Sequence, residues 1–597
     1  MSTLRQTPSQ LATLLGDPVP VNDLWTLAAR LKLHRLTPVR RIVNRRSPNF
    51  PVGHVDRFWV VNNATDVYSR VSARIVCETA HLYLYVDQSV KASRDRGCEA
   101  ARFFEHHIYP TDRALFGSEW RPGVDDDPHV TLFYGHTPGV AGYFSGEDEY
   151  PTSVNRFSNQ REMIFISSDA VSLGGAPFDE TVAHEFQHMI HWHMHPQDEA
   201  WDNEGASVLA QVVNGFGSDG VEYAYQSDPV QLDSWTDGNS SPDYGAGYLW
   251  WNYLYERFGA SFICAMMADS ADSGLALATR VLRQRTHLSL ETVFGDWIVA
   301  NLLNDRRDGA VYGYRDTKVH MTPAVTLNAR SSTYHAAVHP YAPLYVAVSS
   351  SAHAFRLHFT GAPAIPVIAA HSSTPFWYSN RCDFCDTSMT RVLDLQHARN
   401  PVLTFQTWFD IEQNYDYGYV EVSTDGGKTW NSLSTPVSSR KNPNGGNYGF
   451  GITGNSRKAA GNRGGWVPIR LSLHRFAGKY IELRFEYVTD DEYNGQSWAI
   501  KDVAVPAIGV TDRVGDAAWK IRGFVPVVHN SLPLSWSIRE VRFGHGSPLV
   551  SWLHVYGSGR ATVPIPTSSS ARRIVLAIFG QAPKTTLAAS VAISASP

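Results

Sequence analysis

Residues Asp179 to Gly205 read DETVAHEFQHMIHWHMHPQDEAWDNEG and contain His184-Glu185-Phe186-Gln187-His188. In a helix, side chains four apart stack on one face, so His184 and His188 can hold one ion through their imidazoles. Glu185 can reach a water on that ion and act as its general base. Local features predict the helix. Phe178-Asp179 ahead of the apolar run reads as a staple residue and an N-cap. Val182, Phe186 and Met189 form an apolar stripe away from the histidines. Pro196 ends the helix, because it pushes residue 195 out of helical geometry.

Such a site needs a third protein ligand and an open position for water or substrate. A metzincin would have glycine at 191 and histidine at 194. This chain has His191 and Met194, which excludes that pattern. Among Asp198, Glu199, Asp202 and Glu204, Glu204 is preferred. Asp202-Asn203 can N-cap a helix from Glu204 to about Val213, fixing the carboxylate in its first turn. Asn203 is expected to help hold a substrate backbone. His191, His193 and His195 read as solvated or supporting side chains.

HEFQHMIH followed by WDNEG resembles the gluzincin metallopeptidases, most closely the hyicolysin-like secreted bacterial proteases. The resemblance implies Zn²⁺ on His184, His188 and Glu204, with Glu185 as base. Thermolysin relatives carry a carboxylate four residues after the ligand glutamate to orient one histidine. Val208 stands there, so the partners of these histidines must come from elsewhere. Further on, SPDYGAGYLWWNYLYERFG (241 to 259) reads as an aromatic helix ending at Gly259. Its Tyr244-x-x-Gly247 resembles the tyrosine-bearing helix start of aminopeptidase-type gluzincins. That implies Tyr244, with Tyr248 as second choice, as donor to the oxyanion of the tetrahedral intermediate.

At 597 residues the chain exceeds what one core supports, and several domains are expected. Charged residues are 18% and aromatics 12%, with 45 Gly and 33 Pro, a folded, turn-rich composition with much β structure. A net charge of −5 without a basic tract argues against nucleic acid and anionic membranes as partners. No apolar run is long enough to span a bilayer. The first residues, MSTLRQTPSQLATLLGDPVPV, lack the apolar core of a signal peptide. Cys77, Cys98 and Cys264 read as buried free thiols. Cys382-Asp-Phe-Cys385 is the one close pair and reads as a loop disulfide in an extracellular protein.

The expected organisation is an α+β zincin-type catalytic domain followed by all-β sandwich and jelly-roll domains. Residues 1–53 form a leader or linker packed on the enzyme, with a short helix from Val21 to Leu33; a pro-segment is the alternative. In the catalytic domain, 54–318, DRFWVVN, SARIVCETA, LYLYVDQ, HVTLFYG and EMIFISS read as strands. A helix runs from about Lys91 to Tyr109. Strand, helix and strand ahead of an HExxH helix match the N-terminal half of a zincin, in which an edge strand pairs with substrate. The glycine-rich GYFSGEDEYP (142–151) lies near that edge. Two helices, Ala271 to Arg285 and Leu290 to Asn304, complete the domain.

From about 320 onward helix signals vanish. LYVAVSS, FRLHFTG, IPVIAA, YVEVSTDGG, YIELRFEYVTD, SWAIKDVAV and RIVLAIFG read as strands of sandwich domains. Residues 376–506 include FWYSNRCDFCDTSMTRVLDL, FDIEQNYDYGYVEVSTDGGKTW and GGWVPIRLSLHRFAGKYIELRFEYVTDDEYNGQSWAIKDV. They resemble the MAM-like jelly-roll of immune inhibitor A-type secreted metallopeptidases. Segments 319–375 and 507–597 are expected to form one sandwich around it. Acidic residues at the jelly-roll turns suit Ca²⁺. Glu412, Asp490 and Asp502 are the expected ligands of this structural ion.

The resulting expectation is a secreted zinc endopeptidase written here without its leader, acting on protein and peptide substrates. Its β domains would dock substrate, a glycan or a cell surface. The alternatives are an aminopeptidase-like exopeptidase, against which no amine-anchoring glutamate motif precedes the zinc helix, and a binding or adhesion protein with a structural zinc. Glu185 has no purpose in a closed structural site.

Overall fold

Leu82–Asp87 (LYLYVD) is buried along its whole length, as a strand covered on both sides must be. It is β3 of a six-stranded sheet that also holds β1 (Val55–Asn62), β2 (Val67–Glu78), β4 (Val130–Gly135), β5 (Gly142–Phe144) and β6 (Met163–Ser167). The order is β1-β2-β3-β4-β6-β5, with β3, β4 and β6 parallel and β5 antiparallel to β6 at the edge. Leu82, Leu84 and Val86 pack with the helices, while Tyr83 and Tyr85 join Phe58, Phe133 and Phe165 on the other face. The computed structural model describes residue 14 and residues 19–307, 309–349, 353–459, 465–544, 546–566 and 573–596. Most of the expected leader before residue 19 lies outside these described residues.

The elements differ from expectation where a distant partner intervenes. Helix α1 spans Arg94–Phe103, capped by Ser93, and continues beyond Tyr109 to Phe116 through a π-turn at Phe104–Ile108. Pro110 lacks an N–H, and the widened turn ahead of it absorbs the missing bond. Cys77 and Cys98 are not free: β2 and α1 bring them into a disulfide across 21 residues. Cys382 and Cys385 form the second disulfide, and Cys264 is free. At the N-terminal side the helix is shorter than expected: an Asp23-capped turn, Leu24–Leu27, runs into a π-turn, Ala28–Lys32.

Helix α2 (Ala176–Met194) begins before the expected Asp179 cap, with Gly175 at N-cap and Pro177 in the first turn. Its Val182, Phe186, Met189 and Ile190 are buried in the main core, which turns His184 and His188 to the opposite side. Helix α3 spans Ala200–Val213, so Asp202 and Asn203 lie within its first turn instead of capping it. Helix α4 (Ser241–Phe258) ends at Gly259, whose φ of 84° suits glycine. Helices Gly274–Arg285 and Leu290–Leu303 follow.

Beyond this mixed α/β region the chain is built of β-sheets. Two seven-stranded sheets enclose one core, the first with Phe376–Tyr378, Val402–Ile411 and Ser497–Val505, the second with Asp386–Asp394, Tyr417–Ser423 and Tyr480–Val488. A four-stranded and a five-stranded sheet combine strands from before and after them, for example Phe355–Gly361 with Arg560–Ile565, and Leu344–Val348 with Arg573–Gln581. IPVIAA is not a full strand. Only Ala364–Ile365 pairs, and Asn530 Oδ1 accepts the N–H groups of Val367 and Ile368 after Pro366.

Residues from the N-terminal segment, the α/β region and the unit of two seven-stranded sheets, here called the first β unit, share a further apolar cluster, with Trp25, Tyr150, Trp192, Phe384 and Trp430. Arg30 of that segment reaches Asp386 at 3.3 Å and also Glu486 in the β unit. The accessory β-sheets are therefore docked on the α/β region.

Candidate metal centre

Helices α2 and α3 bring His184, His188 and Glu204 together, with one donor atom from each inside a 4.8 Å set. His184 Nε2 and His188 Nε2 lie 3.2 and 3.3 Å from Glu204 Oε2. Their other nitrogens explain this orientation. His188 Nδ1 lies 3.0 Å from Asn203 Oδ1 and 3.1 Å from Ser207 Oγ. His184 Nδ1 lies 3.4 Å from Gln211 Oε1, and Gln211 turns its amide nitrogen to Asp219 at 3.3 Å. Amide oxygens accept only, so each Nδ1 carries hydrogen, and in the neutral ring each Nε2 turns a lone pair inward.

Two lone pairs facing a carboxylate repel unless a cation sits among them. Burial opposes the charge on Glu204, yet His188 and His184 outweigh it and hold the carboxyl well below its ordinary range. Burial likewise lowers His188, but Glu204 raises it to about 9. The donor set of two imidazoles and one carboxylate fits Zn²⁺.

The partners that orient the two histidines were not assigned from the sequence. Asn203, expected at the substrate, lines the cleft and points its side-chain oxygen at His188. Asn203, Ser207 and Gln211 share α3 with Glu204, at positions −1, +3 and +7 relative to it, and helical spacing is the signal that could have found the last two. Gln187 accepts the Ser207 hydroxyl, tying α2 to α3.

Glu185 is 5% exposed and points toward β5. Burial raises its carboxyl, opposed by His184, His188 and the N–H of Phe144. A Cβ at Gly142 would stand 2.9 Å from Glu185 Oε1 and 2.7 Å from Thr181, so the edge strand passes close only as glycine. GYFSGEDEYP thus contains the edge strand itself. Tyr244 donates to Glu204 Oε1 at 2.9 Å and is pushed up by burial and by Glu204, so it keeps its proton. Tyr248 is elsewhere, paired with Thr317 at 2.8 Å. His191 and His195 lie against buried Asp198 and are not part of the centre.

These groups floor a cleft of about 330 Å³. Glu147, Asp148, Asp490, Asp491 and Glu492 join Glu185 and Glu204 in lining it, with no Lys or Arg among the described residues. Asp490 to Glu492 come from the first β unit, as does Tyr415, whose hydroxyl reaches Asp66 at 3.1 Å. Aromatic walls come from Trp59, Tyr68 and Phe157, the last two stacked at 4.0 Å.

A second set, Glu412, Asp416 and Asp490, also converges within 4.8 Å. Asp502 does not belong to it: its carboxylate accepts from Gln406 at 2.8 Å, and Asp416 takes the expected place. Asp416 sits just before the strand Tyr417–Ser423, where Tyr487 and the N–H of Asp490 bond it at 3.0 Å each. Glu412 Oε2 is buried without a hydrogen-bond partner. Burial, then the neighbouring Asp416, pushes Glu412 up to about 11. An oxygen-only cluster with a partnerless Glu412 oxygen fits a hard cation such as Ca²⁺.

Residues 363–526 match the family described as Immune inhibitor A-like, MAM domain, a wider span than 376–506. The chain is 27% identical over 152 residues to the pre-pro-metalloprotease PrtV of Vibrio cholerae, covering 25% of this chain and 15% of that protein. It is 30% identical over 156 residues to Immune inhibitor A of Bacillus thuringiensis, covering 25% of this chain and 20% of that protein. Among solved structures, the Endo-D glycoside hydrolase domain of Streptococcus pneumoniae gives a TM-score of 0.11 at 11% identity over 83% of this chain and 72% of that one, too low to read a fold from. What these matches establish is an Immune inhibitor A-like MAM domain in a chain related in that region to metalloproteases, of whose length it spans a fifth or less.

Proposed function

We propose that this chain is a secreted zinc endopeptidase, with residues 54–318 as a zincin-type, gluzincin catalytic domain. Residues 1–53 would be its linker. The jelly-roll would be 376–506, and 319–375 with 507–597 a sandwich around it. The observation that carries the reading is the convergence of His184, His188 and Glu204 beside a buried carboxylate and a free-edged strand. The metalloprotease name of one relative and two disulfides, which suit an oxidising compartment, support it.

Held by His184, His188 and Glu204, zinc would acidify a water from a pKa of ~15.7 towards ~7 and polarise a scissile carbonyl. Glu185 would be the base that accepts a proton from the attacking water and returns it to the leaving amine, and its buried, raised carboxyl suits both transfers. The Tyr244 hydroxyl remains a donor and can turn from Glu204 to the developing oxyanion. β5 offers its outer edge to an extended peptide backbone. Asn203 orients His188. The acidic walls exclude anionic side chains and favour cationic or neutral ones. Ca²⁺ on Glu412, Asp416 and Asp490 would brace the loop that lines the cleft, and the β domains would dock substrate or a surface ligand.

The same acidic wall supports a second reading, an aminopeptidase holding a substrate's free α-amine. Peptides blocked at the N-terminus separate the two. The endopeptidase cleaves them internally, loses activity to a zinc chelator and regains it with zinc; failure on blocked peptides with trimming of free ones would establish the exopeptidase.

A further inference from the structure

The start of α3 is satisfied from outside the α/β region. Its N-cap residue, Glu199, makes no capping bond. The Glu199 carboxylate is turned to Trp201 Nε1 at 2.8 Å. The N–H of Ala200 instead goes to Asp383 Oδ2 at 2.9 Å, across 183 residues. Asp383 lies in the first β unit, between Cys382 and Cys385, and is 3% exposed. Its other oxygen accepts from Asn494, just past the Asp490–Glu492 wall of the cleft. Ala200 is one helical turn before Glu204, so this contact sets where the ligand-bearing turn begins.

The loop that carries Asp383 is itself constrained. Phe384 sits at φ 47°, a left-handed conformation that a bulky residue holds only when its surroundings impose it. The disulfide closes the loop around it, and the N–H of Asn22 bonds Phe384 O at 2.9 Å. A carboxylate here also complements the positive end of the α3 dipole.

We propose that Asp383 is a positioning residue of the metal centre. The Cys382–Cys385 disulfide presents it to the first turn of α3, and Glu204 is correctly placed only with the jelly-roll docked and the disulfide closed. This rests on Glu204 being a zinc ligand.

The test uses the full chain as wild type, Asp383→Ala, Asp383→Asn and the double variant Cys382→Ser/Cys385→Ser. Zinc affinity is measured by competition with a chromophoric chelator, and the visible spectrum of the Co²⁺-substituted protein is recorded. Asp383→Ala and the double serine variant are expected to bind zinc ~10–100-fold more weakly, the range for lost orienting contacts. Their cobalt bands are expected to shift. Asp383→Asn keeps an oxygen for the Ala200 N–H and should recover most of the affinity, even if Asp383→Ala folds poorly. Wild-type affinity and spectrum in the double serine variant, or an Asp383→Asn protein no better than Asp383→Ala, would overturn the positioning role. A wild type that binds no zinc would instead overturn the ligand assignment beneath it.

Discussion

Tyr244 and Glu204 share one hydrogen bond, and their roles can be separated. Replacing Tyr244 with Phe leaves the donors of the metal centre in place and removes one O–H. If that hydroxyl serves the oxyanion, kcat falls ~10²–10³-fold with KM little changed, and bound zinc stays stoichiometric. Loss of zinc with unchanged kcat per metal would assign Tyr244 to holding Glu204. At this scale the sequence was legible where the geometry is local. The i, i+4 spacing of His184 and His188 and the adjacent Glu185 follow from helical periodicity alone. Asp416 was missed for Asp502 because turn residues in a β-sandwich carry no periodicity; only the fold sets Asp416 beside Asp490. Cys77 and Cys98 illustrate the same limit, since nothing local links a strand cysteine to one in the next helix.

Helices α3 and α4 meet backbone to backbone, and that crossing brings Tyr244 to Glu204. A Cβ on Gly247 would lie 2.4 Å from Trp201 O, and one on Gly205 would lie 2.5 Å from the Gly247 carbonyl carbon. Gly247→Ala must therefore push the helices apart, with an expected loss of ~1–3 kcal/mol in denaturant unfolding. Zinc affinity should fall with it. A Cβ on Gly217 would meet nothing nearer than 3.8 Å, so Gly217→Ala serves as the control. Its stability is expected within ~0.5 kcal/mol of wild type. The strong apolar runs of β3, β4 and β6 and the aromatic α4 were readable as elements because burial leaves its pattern in composition. Their ends were less so. α2 starts at Ala176 and α3 at Ala200 because glycine geometry and the remote Asp383 cap serve where Asp179 and Asp202 were expected.

The N-terminal segment, the α/β region and the β-sheets are joined by buried charge as well as by apolar packing. Burial works against ionised Glu486, but Arg30 and Arg484 hold it down at about 2 from an ordinary 4.5. Nearby Asp386 and Glu421 are pushed up by burial and by Glu486, so the ion pair belongs to Arg30 and Glu486. A depressed carboxyl contributes stability that is full above its ordinary pKa and is lost as pH falls through the folded value. Wild type should accordingly lose stability between about pH 4.5 and 2. Arg30→Met leaves the buried Glu486 carboxylate with Arg484 alone, at 3.4 Å, and is expected to cost up to ~3 kcal/mol at neutral pH and to flatten that acid limb in thermal melts.

Raised carboxyls at Glu412, Asp416 and Asp490 act in the opposite sense, costing stability as pH rises unless a cation offsets them. Calcium should therefore raise Tm at neutral pH, and raise it much less in Glu412→Gln. An equal rise in both would remove the ion from this cluster. Among the described residues no helix is long and apolar enough to cross a membrane.

In the proposed function, His184, His188 and Glu204 hold a catalytic zinc for which Glu185 is the base. The most direct measurement is metal content together with casein hydrolysis, for wild type and Glu185→Ala side by side. The expected result is one zinc per chain in both proteins and hydrolysis by wild type alone, with the variant slower by at least ~10²-fold. Equal hydrolysis by both would contradict the role of Glu185, and absence of zinc from both would contradict the centre itself.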